Sequence, residues 1–388
     1  AYGGNEFGPA PYYLMFRNIS ADEYESLGDC EKSEYKALED LDENELAGWL
    51  ASIRLDKPFE GRDEFFQTHW QRLNALTRNP WLQAETMVRN IQAFAEEGLV
   101  YLESQVAIQG FEGPDGAAIS PQQVGEILRL RLQQEDAASI GITVRLQVPI
   151  LRFLPFAENQ LRTVYQFVHD NNDLFVAVNM VGREDNDKGY PLRFLSTLRE
   201  LRRHYDGVRL SIHAGEVDEP NSHVRDTLLL GADRIGHGLN LITDPDTMLL
   251  MRNGAYMVEI NLISNLLIEY IDDYSQHPFP EYLRIGIPVA LSTDDRGMWD
   301  STLTDEFFVA VREFDLSWEE VKILSRNSLQ YAFLPGSEKN ALLQDFAVRI
   351  NRYERGIGKD GVTSVGSLPP TRQFICDHYE ICNRKGLQ

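Results

Sequence analysis

The sequence predicts an α/β chain folded as a (β/α)8 TIM barrel with N-terminal helical additions. Three observations carry that prediction. Short β-rich runs alternate with longer stretches of helical periodicity, the pattern of parallel βαβ units, because a parallel neighbour requires a crossover. No glycine-rich phosphate loop of the dinucleotide type follows the first run, as it does in many open doubly wound sheets. Polar residues that are unusual in strands stand at the C-terminal ends of several runs: His213, His237, Ser264, Asp294 and Asp295. Barrel enzymes build their sites on that rim, from many strands converging on one axis.

In chain order, residues 1–97 are expected to form a helical cap region. Its first 60 residues are irregular and acidic, with helical segments there and over 62–97, the latter ending at the glycine of AEEGL. Seven β-rich runs then follow within 98–335: 100–107, 143–153, 175–182, 208–213, 233–237, 256–264 and 288–295. The stretches between them are helical, as over 191–206, where Phe194, Leu195, Leu198, Leu201 and Tyr205 recur at helical spacing. The last run leads into helices at 301–314 and 318–332, and a terminal helix is expected at 336–353. Residues 1–353 are thus read as one barrel domain and 354–388 as a tail with no assigned fold. A barrel of this type has eight strands, so the seven runs are read as strands two to eight, with strand one expected upstream of Ala1.

A chain of 388 residues suits one elaborated barrel. The 37 basic and 60 acidic residues give a net charge of −23, which argues against a nucleic-acid binder or an anionic-membrane protein, since both need a positive surface. No apolar run reaches the ~20 residues of a membrane helix. The opening AYGGNEFGPAP lacks the basic and apolar regions of a signal peptide. Three cysteines imply no closed disulfide framework: Cys376 and Cys382 either pair in an oxidising compartment or remain two reduced thiols.

The chemistry concentrates in three segments. SIHAGEV places His213 at a strand end and Glu216 three residues later, RIGHGLN places His237 at the next strand end, and LSTDDRG ends the last strand with Asp294 and Asp295. Singly, each has a bland explanation, a surface histidine or a helix cap. Together, on three strands aimed at one axis, they point to a site, because buried acids and imidazoles are costly unless paired or metal-bound. Imidazole and carboxylate suit a borderline divalent ion such as zinc, with His213 and Asp294 as two ligands. A catalytic zinc takes three or more protein ligands, so the remainder are expected from the unseen first strand. His69, His169, His204, His223, His277 and His378 fall in helices or loops and are expected at the surface.

HAGE, RIGHG and STDD, in this order on successive strands, resemble the adenosine deaminase family of metal-dependent hydrolases, over roughly residues 60–345. VNMVGRED resembles the family's glycine-bearing segment. Its wording and STLTDEF look closer to the growth-factor-like and exported branch, which implies a periplasmic or secreted location, with a cytoplasmic one as the alternative. The resemblance implies one zinc ion per chain, held in part by His213 and Asp294. It makes Glu216 the acid that protonates the purine ring nitrogen beside the attacked carbon. It makes His237 the group that orients and deprotonates the attacking water, and Asp295 the carboxyl that hydrogen-bonds the imidazole-side ring nitrogen. Gly182 becomes the glycine whose backbone amide meets the purine. The implied activity is hydrolytic deamination of an aminopurine nucleoside, adenosine to inosine, by a monomer or homodimer.

The family's first strand ends in an HxH motif supplying two further ligands, and this sequence contains no HxH; AYGG falls just after that motif in the family's register. Other readings stay open. The substrate could be AMP or an N6-substituted or other aminopurine, with Arg183 as a candidate phosphate contact. A non-catalytic binding or signalling protein on the same fold is the alternative from another class. A two-metal amidohydrolase normally needs a strand-four lysine, which VNMVG does not offer.

Overall fold

The computed structural model describes residues 19, 21–57, 60–113, 116–186, 188–217, 221–361 and 373–382. Seven strands form one sheet: β1 (Tyr101–Gln105), β2 (Thr143–Leu151), β3 (Phe175–Val181), β4 (Arg209–Ala214), β5 (Arg234–His237), β6 (Met257–Ile260) and β7 (Val289–Leu291). Each falls within one of the runs named above except β4, which extends one residue past its run of 208–213. All pairings are parallel and the spatial order equals the chain order, β1 to β7. The sheet is therefore a curled, partial TIM barrel, and no described strand joins β1 to β7. The AYGG segment lies outside the described residues.

The helices pack outside this sheet through apolar faces. In Ala157–Asp170 the buried residues Leu161, Val164, Tyr165 and Val168 recur at the 3.6-residue period. In Leu303–Phe314, Thr302 caps the start by accepting from the Asp305 amide while Asp305 reaches back to the Thr302 amide. The helical stretch expected over 62–97 is broken at Pro80. Asn79 takes an extended conformation there, as the residue before proline prefers, and its side chain accepts from the Trp81 and Leu82 amides to start a new helix, Pro80–Glu96.

Two further differences concern the C-terminal part. The terminal helix runs over Gly336–Asp360, past the expected end at 353. The tail contains a helix, Gln373–Tyr379, whose Phe374 and Ile375 are buried, and Cys376 is disulfide-bonded to Cys382. The rings of Tyr379 and Phe308 lie 5.3 Å apart, and those of His378 and Tyr274 6.0 Å apart, so this helix docks on the body of the chain.

Candidate active site

The C-terminal ends of β4, β5 and β7 deliver the site. Parallel register sets His213 beside Gly236 and Ala214 beside His237. Gly236 makes the approach possible, since a Cβ there would lie 3.0 Å from His213 Nδ1. His237 and Asp294 leave their strands in the left-handed region, at φ 63° and 49°. Backbone of that kind costs on the order of 1–3 kcal/mol outside glycine and persists where its surroundings hold it. The result is convergence: ligand atoms of His213, His237 and Asp294 all lie within 4.8 Å of one another. Glu216 Oε1 is 3.6 Å from His237 Nε2.

Burial sets the charges. Burial, with the negative charge of Asp294 and Glu184, pushes the Glu216 carboxyl well above its ordinary 4.5, so it keeps its proton. His213 is pushed down to about 3, chiefly by burial and then by His237, and His237 is pushed down to about 4, chiefly by burial. Both rings are neutral. Asp295 is driven well up by burial and by the charge of Asp294. Asp294 is also raised by burial, but His213 and the Ser264 hydroxyl favour its charged form. We assign Asp294 as the ionised member of the pair and Asp295 as the protonated one.

A line of side chains across the strands tests whether His213 suits a metal. On β1, burial alone would raise the Glu103 carboxyl, but Arg234, which is bonded to it, holds it below its usual range. Ionised, Glu103 can only accept. It accepts a hydrogen bond from Gln147 Nε2 at 2.8 Å, so Gln147 Oε1 faces Asn179 Nδ2 at 3.1 Å, and Asn179 Oδ1 faces His213 Nδ1 at 3.0 Å. The proton of His213 is therefore on Nδ1 and the lone pair on Nε2. A histidine held this way by a carbonyl oxygen is the form that ligates metals. His213 and Asp294 fit a divalent ion such as zinc, and with His237 they form the one group of three or more potential ligand residues found among the described residues.

Two buried glutamates fix the segments carrying the site. Glu184 accepts from the Gly215 and Glu216 amides, each at 3.1 Å, and from His223 Nδ1 at 2.7 Å, with Arg152 Nη1 3.5 Å away. Glu306 accepts from the Leu262 and Ile263 amides at 3.0 and 3.3 Å. On the other side of His237, Asn265 Nδ2 is 3.3 Å from Nδ1 and Asn261 Nδ2 is 3.1 Å from the same atom.

His213, Glu216, His237, Asp294 and Asp295 thus come together. Gly182 follows β3 at φ 91°, a backbone conformation that favours glycine, and a Cβ there would lie 2.6 Å from the Phe153 ring. The expectation of surface histidines is corrected at three positions: His223 is half-buried, its ring bonded to the buried Glu184, and two others are buried outright. His69 is fully buried, with Nδ1 3.0 Å from the Glu64 carbonyl oxygen, and His277 is 3% exposed, beside Asn265. Sequence reasoning also missed Glu103, Gln147, Asn179, Glu184, Asn265 and Glu306. The available signal was polar residues inside apolar runs, as in VAVNMV.

A family model described as adenosine deaminase matches residues 57–348. Among curated relatives, the chain is 36% identical to adenosine deaminase of Vibrio cholerae over 174 residues, 45% of this chain and 51% of that protein. The chain thus spans about half the length of that relative. It is 26% identical to N6-methyl-AMP deaminase of Bos taurus over 64% of this chain and 71% of the relative. Among solved structures, an amidohydrolase from Burkholderia ambifaria with bound zinc superposes with a TM-score of 0.68 at 16% identity, covering 92% of this chain and 98% of that one. At that identity the likeness concerns the fold.

Proposed function

The chain belongs to the adenosine deaminase family, and on that premise we propose that it deaminates an aminopurine nucleoside hydrolytically, adenosine to inosine and ammonia, with one zinc ion per chain. The observation that carries this is a protonated, buried Glu216 facing His237, next to a His213–Asp294 pair of metal-ligand chemistry. Bound there, zinc would supply the Lewis acidity that turns water into a nucleophile near neutral pH. Glu216 delivers its proton to the ring nitrogen beside the attacked carbon, so charge does not accumulate on the ring. His237 holds the attacking water. Asp295, protonated, donates to the imidazole-side ring nitrogen, and the Gly182 turn presents backbone to the purine. The ionised Asp294 carboxylate takes the proton that the water gives up. As the carbon–nitrogen bond breaks, that proton passes to the amino group, which leaves as ammonia, and the hydroxyl proton of the adduct returns to Glu216 as the carbonyl forms.

A nucleoside rather than a nucleotide is favoured by the rim arginines. Arg183, the candidate phosphate contact, is bound by Asp185 at 2.5 and 2.8 Å and by Asp63 at 2.7 Å. Arg152 faces Glu184, and Arg296 is 3.0 Å from Glu97. Each positive charge is already answered by a carboxylate, and a phosphate site needs convergent donors that are not. The test is loss of the adenine absorbance band with adenosine, 2′-deoxyadenosine, AMP and N6-methyl-AMP side by side on the zinc-loaded protein. Highest kcat/KM for adenosine is expected. Preference for AMP or N6-methyl-AMP overturns the substrate, and turnover of none overturns the activity.

A further inference from the structure

The rings of His213 and His237 lie with centroids 4.8 Å apart, and each proton is dictated from outside the site. For His213 the determinant is the Glu103 carboxylate, acting through two amides. For His237 it comes from the opposite direction and has the opposite sense. The Phe279 backbone N–H, whose role as donor is fixed by its chemistry, points at His277 Nδ1 at 3.1 Å. A ring nitrogen that accepts carries no proton, so His277 is neutral with its proton on Nε2. That Nε2 lies 3.2 Å from the Asn265 side chain, whose oxygen must face it. The Asn265 amide nitrogen is thereby turned toward His237 Nδ1, 3.3 Å away; Asn261 Nδ2 stands 3.1 Å from the same atom and 3.4 Å from Nε2, but only the Asn265 amide has its orientation fixed from outside, by His277.

We propose that His277 and Asn265 are positioning residues that lock His237 as the Nε2–H tautomer, so that it enters the site as a hydrogen-bond donor beside Glu216. Two adjacent imidazoles then do different work because their outer partners differ. His213 presents a lone pair and ligates. His237 presents a proton and does not, although its atoms sit within the same 4.8 Å cluster. Within the deaminase reading, on which this consequence alone rests, His237 orients the attacking water by donating to its oxygen. Its Nε2 cannot take the water's proton while the relay holds.

The tautomers are read directly from two-bond proton–nitrogen correlation spectra of the full chain labelled with ¹⁵N-histidine, assigned by single histidine substitutions. The Nε2–H pattern is expected for His237 and His277, and the Nδ1–H pattern for His213. In Asn265→Asp a carboxylate oxygen replaces the donor against His237 Nδ1, and His237 is expected to gain a proton there while His277 is unchanged. His277→Phe removes the donor that orients Asn265, and His237 is expected to become a mixture of tautomers. A wild-type His237 protonated on Nδ1 overturns the proposal without any variant, as does a His237 pattern indifferent to Asn265→Asp. Because the spectra need no turnover, a failed deaminase assignment leaves this result standing, and the converse also holds.

Discussion

Replacing Glu184 by glutamine isolates what anchors the segment bearing Glu216. The carboxylate is fully buried, and so is Arg152, which faces it at 3.5 Å. An amide keeps the size but removes the charge, leaving a buried guanidinium without its counter-ion. Breaking a buried pair from one side costs about 3–5 kcal/mol. At roughly 2.1 cal/mol/K of unfolding entropy per residue, 388 residues give ~0.8 kcal/mol/K, so the loss corresponds to a Tm lower by roughly 4–6 °C. The effect has a pH signature. Burial alone would raise the Glu184 carboxyl, but His223 and Arg152 hold it below its ordinary 4.5. Its contribution is therefore complete above that value and disappears as pH falls through the lower folded-state value, so wild type and variant converge in acid. Scanning calorimetry on Glu184→Gln, Arg152→Met and the double variant supplies the cycle. The double variant is expected to recover much of the loss, because no uncompensated charge remains. A shift below 1 °C in Glu184→Gln refutes the reasoning, as does a double variant whose loss equals the sum of the singles.

Glu216→Gln is expected to keep fold and bound zinc while losing at least ~10²–10⁴-fold in kcat with adenosine, because an amide cannot deliver the proton. The raised carboxyl is active while protonated, so Glu216 gives wild-type kcat/KM a fall on the alkaline side, as pH rises through the folded-state value, and the residual activity of Glu216→Gln should lack that limb. His213→Ala and Asp294→Ala should each lose bound zinc, measured by atomic emission on the purified protein, together with activity; full zinc occupancy in either removes that residue from the ligand set.

Buried parallel strands announce themselves. Every residue of β3 but the last is buried, and FVAVNMV reads as a strand because nothing on either face needs water. The rim residues were legible for a related reason: a histidine or a pair of aspartates at the end of an apolar run has few bland explanations once several occur together. His277 was not legible. It sits in DDYSQHP, a polar stretch before proline, and only the turn that brings it back onto Asn265, twelve positions earlier, buries it. Glu184 escaped notice likewise, because the amides it holds belong to another strand's loop. The partners of a buried polar group are set by tertiary packing, and local pattern does not encode them.

The buttressing of Gly215–Glu216 by Glu184, and of Leu262–Ile263 by Glu306, bears on how such a barrel can change its trade. The segment carrying Glu216, and the turn after β6, are each pinned by a single carboxyl at backbone amides, which every amino acid but proline offers. Glu184 acts from the loop after β3 and Glu306 from the helix Leu303–Phe314. Under the proposed function, other rim loops can lengthen, shorten or be exchanged and so alter which purine derivative is admitted, while the pinned segments stay put. Recognition and reactivity are thereby separately editable, by mutation or by loop grafting.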